Sequence, residues 1–245
     1  MSHFQELQGK YLDTKFGKIY YKINKKGNNV LVLIHGLAAS SKSWVKFVEY
    51  LPNDLTIILP DLLGHGESAS PKIDYHVIYQ KEIIEDILKF ENITEYNLMG
   101  HSYGGWVSCI LSLNNINVKK LILEDAGGLK DFFETVSGTE KRKKYKQDIL
   151  SKALMLNTKE YVIKSIIDDE FSLSQLTKEE LSSIFAKTLI LWGENDTTID
   201  KKYAEIFKNY IKNSEVFIIK NSKHTSHYSN PEETANIIKN FLYKD

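Results

Sequence analysis

Residues 100–104 read GHSYG, a G-x-S-x-G pattern with Ser102 at its centre. The apolar run YNLM at 96–99 precedes the pattern, and the helix-like stretch WVSCILSL at 106–113 follows it. A sharp strand-to-helix turn exposes a serine hydroxyl, and the flanking glycines let the turn approach neighbouring backbone closely. The helix that follows points its first N–H groups towards any anion formed beside the serine. The spacing therefore predicts that Ser102 is a nucleophile that accepts an acyl group.

A serine nucleophile needs a base that takes its proton and an acidic residue that orients this base. The chain has seven histidines, His224 and His227 among them, any of which could be the base. Several acidic residues follow apolar runs, including Asp125 and Asp196. The residue types alone therefore leave both partners of the serine open.

The segments that must position these residues are short apolar runs that alternate with helical patterns. Runs of four to eight residues rich in Ile, Val and Leu are typical of strands buried on both faces. They lie at 18–23, 30–34, 55–59, 96–99, 118–124, 188–192 and 215–219. The apolar faces of the intervening helices comprise Ile83, Ile84, Ile87 and Leu88, then Ala204, Phe207 and Ile211, and finally Ala235, Ile238 and Leu242. This alternation predicts an α/β fold, a mostly parallel central sheet with helices on both faces.

One interval interrupts the alternation of strands and helices. Residues 129–187 contain no strand pattern, carry many apolar and aromatic side chains, and are too long for an ordinary connection. We expect a small helical cap inserted over one end of the sheet. The predicted core domain then comprises residues 1–128 and 188–245.

Five motifs, taken in chain order, resemble those of the α/β-hydrolase fold superfamily over essentially the whole length. They are HGL at 35–37, DLLGHGES at 61–68, GHSYG at 100–104, WGEND at 192–196 and KHTSH at 223–227 before Pro231. The order Ser, Asp, His along the chain is also the one that this fold uses. The resemblance implies a serine hydrolase with the inserted cap of that fold.

Carried over residue by residue, the resemblance assigns Ser102 as nucleophile, His224 as general base and Asp196 as the acid that orients it. His224 is preferred to His227 because its spacing to Pro231 matches the family pattern. Asp125 occupies a position that some members use for the acid. The oxyanion hole would consist of the backbone N–H groups of Leu37 and Tyr103.

The composition excludes several classes of protein. Lys+Arg and Asp+Glu are both 32, so the net charge of zero gives no general attraction for nucleic acid or anionic membranes. A single cysteine, Cys109, cannot form an internal disulfide. The first residues lack an apolar leader, and no run approaches the roughly 18 apolar residues of a membrane span. We therefore expect a cytoplasmic protein without membrane or nucleic-acid partners.

Cofactor and metal motifs are weak in this sequence. Residues 64–69 fit G-x-G-x-x-A, but Pro71 and a polar stretch follow where a helix is needed to bind a dinucleotide. The two histidines of 224–227 lack the glutamate and further ligands of zinc motifs. We therefore expect no cofactor and no metal.

The substrate class follows from the cap and from the scarcity of arginine. Arg142 is the only arginine, so a bidentate cluster for carboxylate or phosphate groups cannot form. We expect a hydrolase of small to medium, largely apolar carboxylic esters. A C–C bond hydrolase, lactonase, thioesterase or perhydrolase on the same scaffold remains an alternative, as does a ligand receptor that retains the fold. A homodimer formed through exposed cap aromatics is a further expectation.

Overall fold

An eight-stranded sheet forms the centre of the protein in the computed structural model, which describes residues 3–136, 138–156, 158–171 and 174–244. The strands are β1 (Gln8–Thr14), β2 (Gly17–Ile23), β3 (Val30–Ile34), β4 (Thr56–Pro60), β5 (Tyr96–His101), β6 (Val118–Glu124), β7 (Lys187–Gly193) and β8 (Ser214–Ile219). Their spatial order is β1-β2-β4-β3-β5-β6-β7-β8. β1 and β2 pair antiparallel with their neighbours, and all pairs from β4 to β8 are parallel.

Helices connect the parallel strands and cover both faces of the sheet. They are α1 (His3–Glu6), α2 (Val77–Phe90), α3 (Tyr103–Ser112), α4 (Lys130–Thr135), α5 (Thr139–Met155), α6 (Glu160–Glu170), α7 (Lys178–Leu181), α8 (Lys202–Tyr210), α9 (Ser226–Ser229) and α10 (Pro231–Tyr243). Within the described residues, no helix is long and apolar enough to cross a membrane.

The side chains of β3 show why the sheet has a helical layer on each face. Val30, Val32 and Ile34 belong to one apolar cluster, with Ile83 and Ile87 of α2. The alternate residues, Leu31 and Leu33, belong to a second cluster that includes Ala235 and Ile238 of α10. Since successive strand residues point to opposite faces, a continuous apolar run needs apolar cover on both sides. The predicted fold class, a mostly parallel sheet between helices, is confirmed.

The two edge strands differ from the sequence prediction. β1 was missed because its sequence, QGKYLDT, is polar and exposed on alternate residues rather than continuously apolar. β8 was located correctly, but the expectation that it is buried on both faces is wrong. It is the last strand of the sheet and has several exposed residues, including Phe217 and Ile218. An edge strand has a neighbouring strand on one side only. The burial of its side chains therefore depends on its position in the sheet, which its own residues do not reveal.

The interval between β6 and β7 contains the helices α4, α5, α6 and α7. The described residues of this interval form no strand, as predicted, but only two isolated bridges, between Leu129 and Leu176 and between Ile184 and Leu113. Ile163 and Ile167 of α6 pack with Ala153 of α5 and Ala38 of the loop after β3. These helices therefore contact the loops at the carboxyl end of the sheet. The division into a core and a cap at 129–187 stays a prediction.

The parallel arrangement brings together loops that are distant in the sequence. The carboxyl ends of parallel strands lie at one edge of a sheet, where the loops that follow them meet. Ser102 follows β5, Asp125 follows β6, Asp196 follows β7 and His224 follows β8. The fold thus places all the main candidates for chemistry at one edge.

Helix α3 approaches the end of β3 so closely that only glycine fits at residue 104. A Cβ built on Gly104 would lie 2.2 Å from the carbonyl oxygen of Ile34 and 2.5 Å from that of His35. We expect Gly104→Ala to lower the free energy of unfolding by about 1–3 kcal/mol, because α3 must move away from β3. Urea denaturation followed by circular dichroism measures this change.

Gly138→Ala is the matched control for this substitution. A Cβ at Gly138 meets nothing within 4 Å, so the same chemical change there adds no clash. We expect its unfolding midpoint to stay within error of the wild type. Equal midpoints for the two variants would show that α3 tolerates the added carbon.

Candidate active site

Ser102 lies in a strained turn between β5 and α3. Its φ of 53° and ψ of −114° are unfavourable for a residue with a side chain. Its N–H donates to the carbonyl oxygen of Glu124 at 3.0 Å, and its own carbonyl accepts from the N–H of Gly127 at 2.9 Å. These bonds to the β6 region hold the turn in place. The serine side chain consequently projects from the carboxyl edge of the sheet.

A chain of two hydrogen bonds connects Ser102 to a buried carboxylate. His224 Nε2 lies 2.9 Å from Ser102 Oγ, and His224 Nδ1 lies 2.7 Å from Asp196 Oδ2. A carboxylate can only accept, so Nδ1 carries the ring proton and Nε2 accepts from the serine hydroxyl. The predicted trio of Ser102, His224 and Asp196 is therefore brought together with the tautomer that a general base needs. Their catalytic roles stay a prediction.

Asp196 is held by its own loop as well as by His224. Its Oδ1 accepts the backbone N–H groups of Thr198 at 2.7 Å and Ile199 at 3.1 Å, and its side chain is fully buried. Both carboxylate oxygens are thus used, and the acid cannot rotate without breaking hydrogen bonds. The orientation of the His224 imidazole is fixed in turn, because Asp196 Oδ2 is the only partner of its Nδ1 atom among the described residues.

Asp125, the alternative acid, lies nearby but has a different environment. Its Oδ1 accepts the backbone N–H of Gly193 at 2.8 Å. Burial, followed by the negative charge of Glu124, raises the pKa of Asp125 well above its ordinary range. In the described structure Asp196, rather than Asp125, contacts the Nδ1 atom of His224.

His227, the alternative base, pairs with Glu124 instead of approaching Ser102. Its backbone N–H donates to Glu124 Oε1 at 2.7 Å, and its ring Nδ1 lies 2.8 Å from Oε2. Both side chains are almost completely buried, at 2% and 0% exposed. Burial opposes ionisation of Glu124, yet the charge and hydrogen bonds of His227 lower the pKa of this glutamate. The pair anchors the loop that carries His224.

His101 forms a second anchor for the same loop. Its Nε2 lies 2.6 Å from the backbone carbonyl oxygen of His224, to which it donates. Burial lowers the pKa of His101 to about 3, so the ring is neutral. Sequence reasoning missed the roles of His101 and Glu124. The available signals were a histidine directly before the nucleophile and a charged residue that ends the apolar strand β6.

A cavity of about 50 Å³ adjoins Ser102. Its walls come from three regions: the loops at the carboxyl edge, α3, and the helices between β6 and β7. The lining residues are Leu37, Ser102, Tyr103, Trp106, Gly127, Gly128, Phe132, Phe133, Tyr145, Ile149, Glu170, Thr198 and Ile199. Leu37 and Tyr103, the predicted sources of the oxyanion hole, thus border the same cavity as the serine. That role stays a prediction.

One group of described side chains has the composition of a metal site. Ligand atoms of His101, Asp125 and His224 lie within 4.8 Å of one another. Both ring nitrogens of His224 are already hydrogen-bonded, to Asp196 and to Ser102, and His101 Nε2 is bonded to a carbonyl. A metal would have to displace these contacts of His224 and His101. The expectation that no metal binds stays a prediction.

The chain matches a known family over just over half of its length. The model of the alpha/beta hydrolase fold family matches residues 29–155. The matched region contains β3 to β6, α3 and the turn at Ser102. It therefore includes the nucleophile motif from which the sequence analysis began.

Curated relatives and solved structures cover almost the whole chain. Monoacylglycerol lipase abhd6-A from Xenopus laevis is 24% identical over 263 residues, which cover 91% of this chain and 78% of that protein. Lipase 1 from Psychrobacter immobilis is 24% identical over 257 residues, which cover 91% of this chain and 80% of that protein. The crystal structure of a hydrolase from Pseudomonas aeruginosa superposes with a TM-score of 0.81 at 17% identity. The superposition covers 96% of this chain and 98% of the other. The likeness to that structure shows a shared fold.

The Glu124–His227 pair predicts a pH-dependent effect on stability. We expect Glu124→Gln to lower the free energy of unfolding by about 1–3 kcal/mol at pH 7, because it removes a buried carboxylate that accepts two hydrogen bonds from His227. The folded-state pKa of Glu124 lies below its ordinary 4.5, so the stabilisation is complete above that value and is lost as the pH falls through the folded pKa. Urea denaturation at pH 7 and at several lower pH values measures the difference.

Glu95→Gln is the control, since Glu95 forms an exposed ion pair with Lys119. This control should change the free energy of unfolding by no more than about 0.5 kcal/mol. A Glu124→Gln variant as stable as this control at pH 7 would contradict the anchoring role of the pair.

Proposed function

The chain belongs to the alpha/beta hydrolase fold family, and we propose that it is a serine hydrolase that cleaves small to medium carboxylic esters. The observation that carries this proposal is the hydrogen-bond chain from Ser102 through His224 to Asp196 at the edge of a mostly apolar cavity. The curated relatives named above as lipases support ester hydrolysis in general.

The acylation step starts from the hydrogen bond between Ser102 and His224. His224 Nε2 takes the hydroxyl proton while Ser102 Oγ attacks the ester carbonyl carbon, and a tetrahedral intermediate forms. Asp196 stabilises the imidazolium through Nδ1. The backbone N–H groups of Leu37 and Tyr103 would bind the oxyanion, where each donor contributes about 2.7–4 kcal/mol in enzymes of this type. Collapse of the intermediate releases the alcohol, which takes the proton from His224.

Deacylation repeats the same proton transfers with water as the nucleophile. His224 Nε2 removes a proton from a water molecule, the resulting hydroxide attacks the acyl carbonyl, and Ser102 leaves with the proton returned by His224. The products are the carboxylic acid and the regenerated enzyme. All these steps use groups of the chain itself and need no cofactor.

The cavity supports small and uncharged substrates. Its volume of about 50 Å³ and its aromatic walls, Phe132 and Phe133 among them, fit a short acyl or alcohol group. The guanidinium of Arg142 lies over the ring of Phe171 at 4.2 Å, and Arg142 is not among the described lining residues. We therefore infer that residues 129–187 act as a cap that selects uncharged esters.

Other reactions on the same scaffold would begin with the same nucleophile. A C–C bond hydrolase, lactonase, thioesterase or perhydrolase would differ from an esterase in the substrate group that the cavity binds. A ligand receptor would bind its ligand without needing to turn it over. Ester hydrolysis is favoured by the named activities of the curated relatives. Cytoplasmic location, the absence of membrane and nucleic-acid partners, and a homodimer stay predictions.

Reaction with a fluorophosphonate probe tests the proposal directly. Such probes phosphonylate a serine only when a neighbouring base activates it, so we expect rapid labelling of the folded wild type at Ser102. Peptide mass spectrometry identifies the labelled residue, and Ser102→Ala should remain unlabelled. Labelling that is absent, or that is equal in the two proteins, would rule out Ser102 as an activated nucleophile and favour the receptor alternative.

Two isosteric substitutions distinguish the candidate acids. We expect Asp196→Asn to lower kcat for p-nitrophenyl butyrate by about 10⁴-fold, because an amide beside Nδ1 favours the wrong imidazole tautomer. Asp125→Asn should change kcat by less than about tenfold, because Asp125 accepts from Gly193 rather than from His224 and Asn has nearly the same shape. Near-normal kcat in Asp196→Asn together with inactivity in Asp125→Asn would reassign the acid to Asp125.

A further inference from the structure

An acidic side chain lines the cavity opposite the apolar walls, and the proposed mechanism does not use it. Glu170 is the last residue of α6 and is only 6% exposed. Its Oε2 accepts the phenol O–H of Tyr145 at 3.0 Å. Among the described residues, Oε1 has no hydrogen-bond partner. The cavity next to Ser102 is therefore lined by a buried carboxyl with one unpaired oxygen.

A second polar group near the cavity is also unsatisfied. Trp106 lines the cavity and is only 1% exposed, and its indole Nε1–H has no hydrogen-bond partner in the part of the chain that the structure describes. A buried polar group without a partner is destabilising, so the polar groups of this wall are incompletely satisfied.

The charge state of Glu170 restricts what this ligand group is. Burial raises the pKa of Glu170 to about 8; the Tyr145 hydrogen bond and Lys146 oppose this rise, and Asp169 adds to it. Lys146 is paired with Asp168, and Asp169 with His76. The carboxyl is thus mainly uncharged at pH 7, which disfavours an ammonium ligand.

An uncharged hydroxyl can pair with Glu170 in either protonation state. It accepts from the protonated carboxyl and donates to the ionised one, whereas a methyl group of the same size can do neither. The small cavity also restricts the hydroxyl to a position within a few bonds of the ester carbonyl. A ligand that is polar at one atom and apolar elsewhere fits these walls.

We propose that Glu170 is a specificity-determining residue that binds a hydroxyl group of the substrate, so that the preferred substrates are short hydroxylated esters. The inference rests on the proposed function, because it assigns the ester that Ser102 attacks. It assigns Glu170 to substrate binding and gives it no part in proton transfer at the carbonyl.

Two pairs of esters in which OH replaces CH₃ test the inference and locate the hydroxyl. Ethyl 3-hydroxybutyrate and ethyl 3-methylbutyrate differ in the acyl group, and 2-hydroxyethyl butyrate and propyl butyrate differ in the alcohol. For each pair, kcat/KM at pH 7 is measured by pH-stat and divided by the rate constant of alkaline hydrolysis. We expect the wild type to favour the hydroxylated ester at least about tenfold in one pair, which identifies the side that enters the cavity.

Variants at Glu170 assign that preference to its carboxyl. Glu170→Met has a similar volume but no hydrogen-bonding group, so the normalised preference should fall to within about twofold of unity. Glu170→Gln keeps a donor and an acceptor and should retain most of the preference. Glu160→Gln, on the exposed part of the same helix, is the control and should match the wild type.

The outcomes separate this inference from the proposed function. If all four esters are hydrolysed no faster by the wild type than by Ser102→Ala, the proposed function itself fails. If the esters are hydrolysed without a hydroxyl preference, or if Glu170→Met keeps the preference, the assignment of Glu170 is overturned while the hydrolase remains. Where Glu170→Met does not fold, a wild type without a hydroxyl preference still overturns the inference.

Discussion

The strained turn at Ser102 is the constraint on which the rest of the structure depends. Its left-handed φ of 53° is maintained because β6 binds the turn through backbone hydrogen bonds. It also requires α3 to start directly against β3, where Gly104 leaves no space for a Cβ atom. A turn of this kind is energetically unfavourable, and it persists only where a rigid, well-packed sheet holds it in place. The parallel strands and the two apolar layers therefore serve to hold one serine in place.

A layer of buried polar residues lies behind the serine and positions the histidine. Glu124 holds the backbone and ring of His227, and His101 holds the carbonyl of His224. Both anchors lie at the carboxyl ends of neighbouring strands, so the strand register sets their separation. Because buried polar groups must be paired, moving this loop would leave several of them unsatisfied. The orientation of His224 is thus a property of the whole carboxyl edge.

The cavity combines walls from the sheet edge with walls from the helices between β6 and β7. The edge supplies Ser102, Leu37 and Tyr103, while the helices supply Phe133 and Glu170. The groups proposed for the reaction and those proposed for substrate selection consequently come from separate parts of the chain. This separation allows the helices to change the preferred ester without disturbing the strained turn.

The sequence by itself predicted the nucleophile and located the main strands along the chain and the helical interval, because apolar periodicity and glycine spacing are local signals. It preferred Asp196 to Asp125 and His224 to His227 only through the family resemblance. Only the tertiary structure showed that His224 contacts Asp196 and that His227 contacts Glu124. It also revealed β1, His101, Glu124 and Glu170, whose environments are created by residues far away in the chain. A hydrogen bond such as that between Glu124 and His227 joins positions 103 residues apart, and no short pattern encodes it.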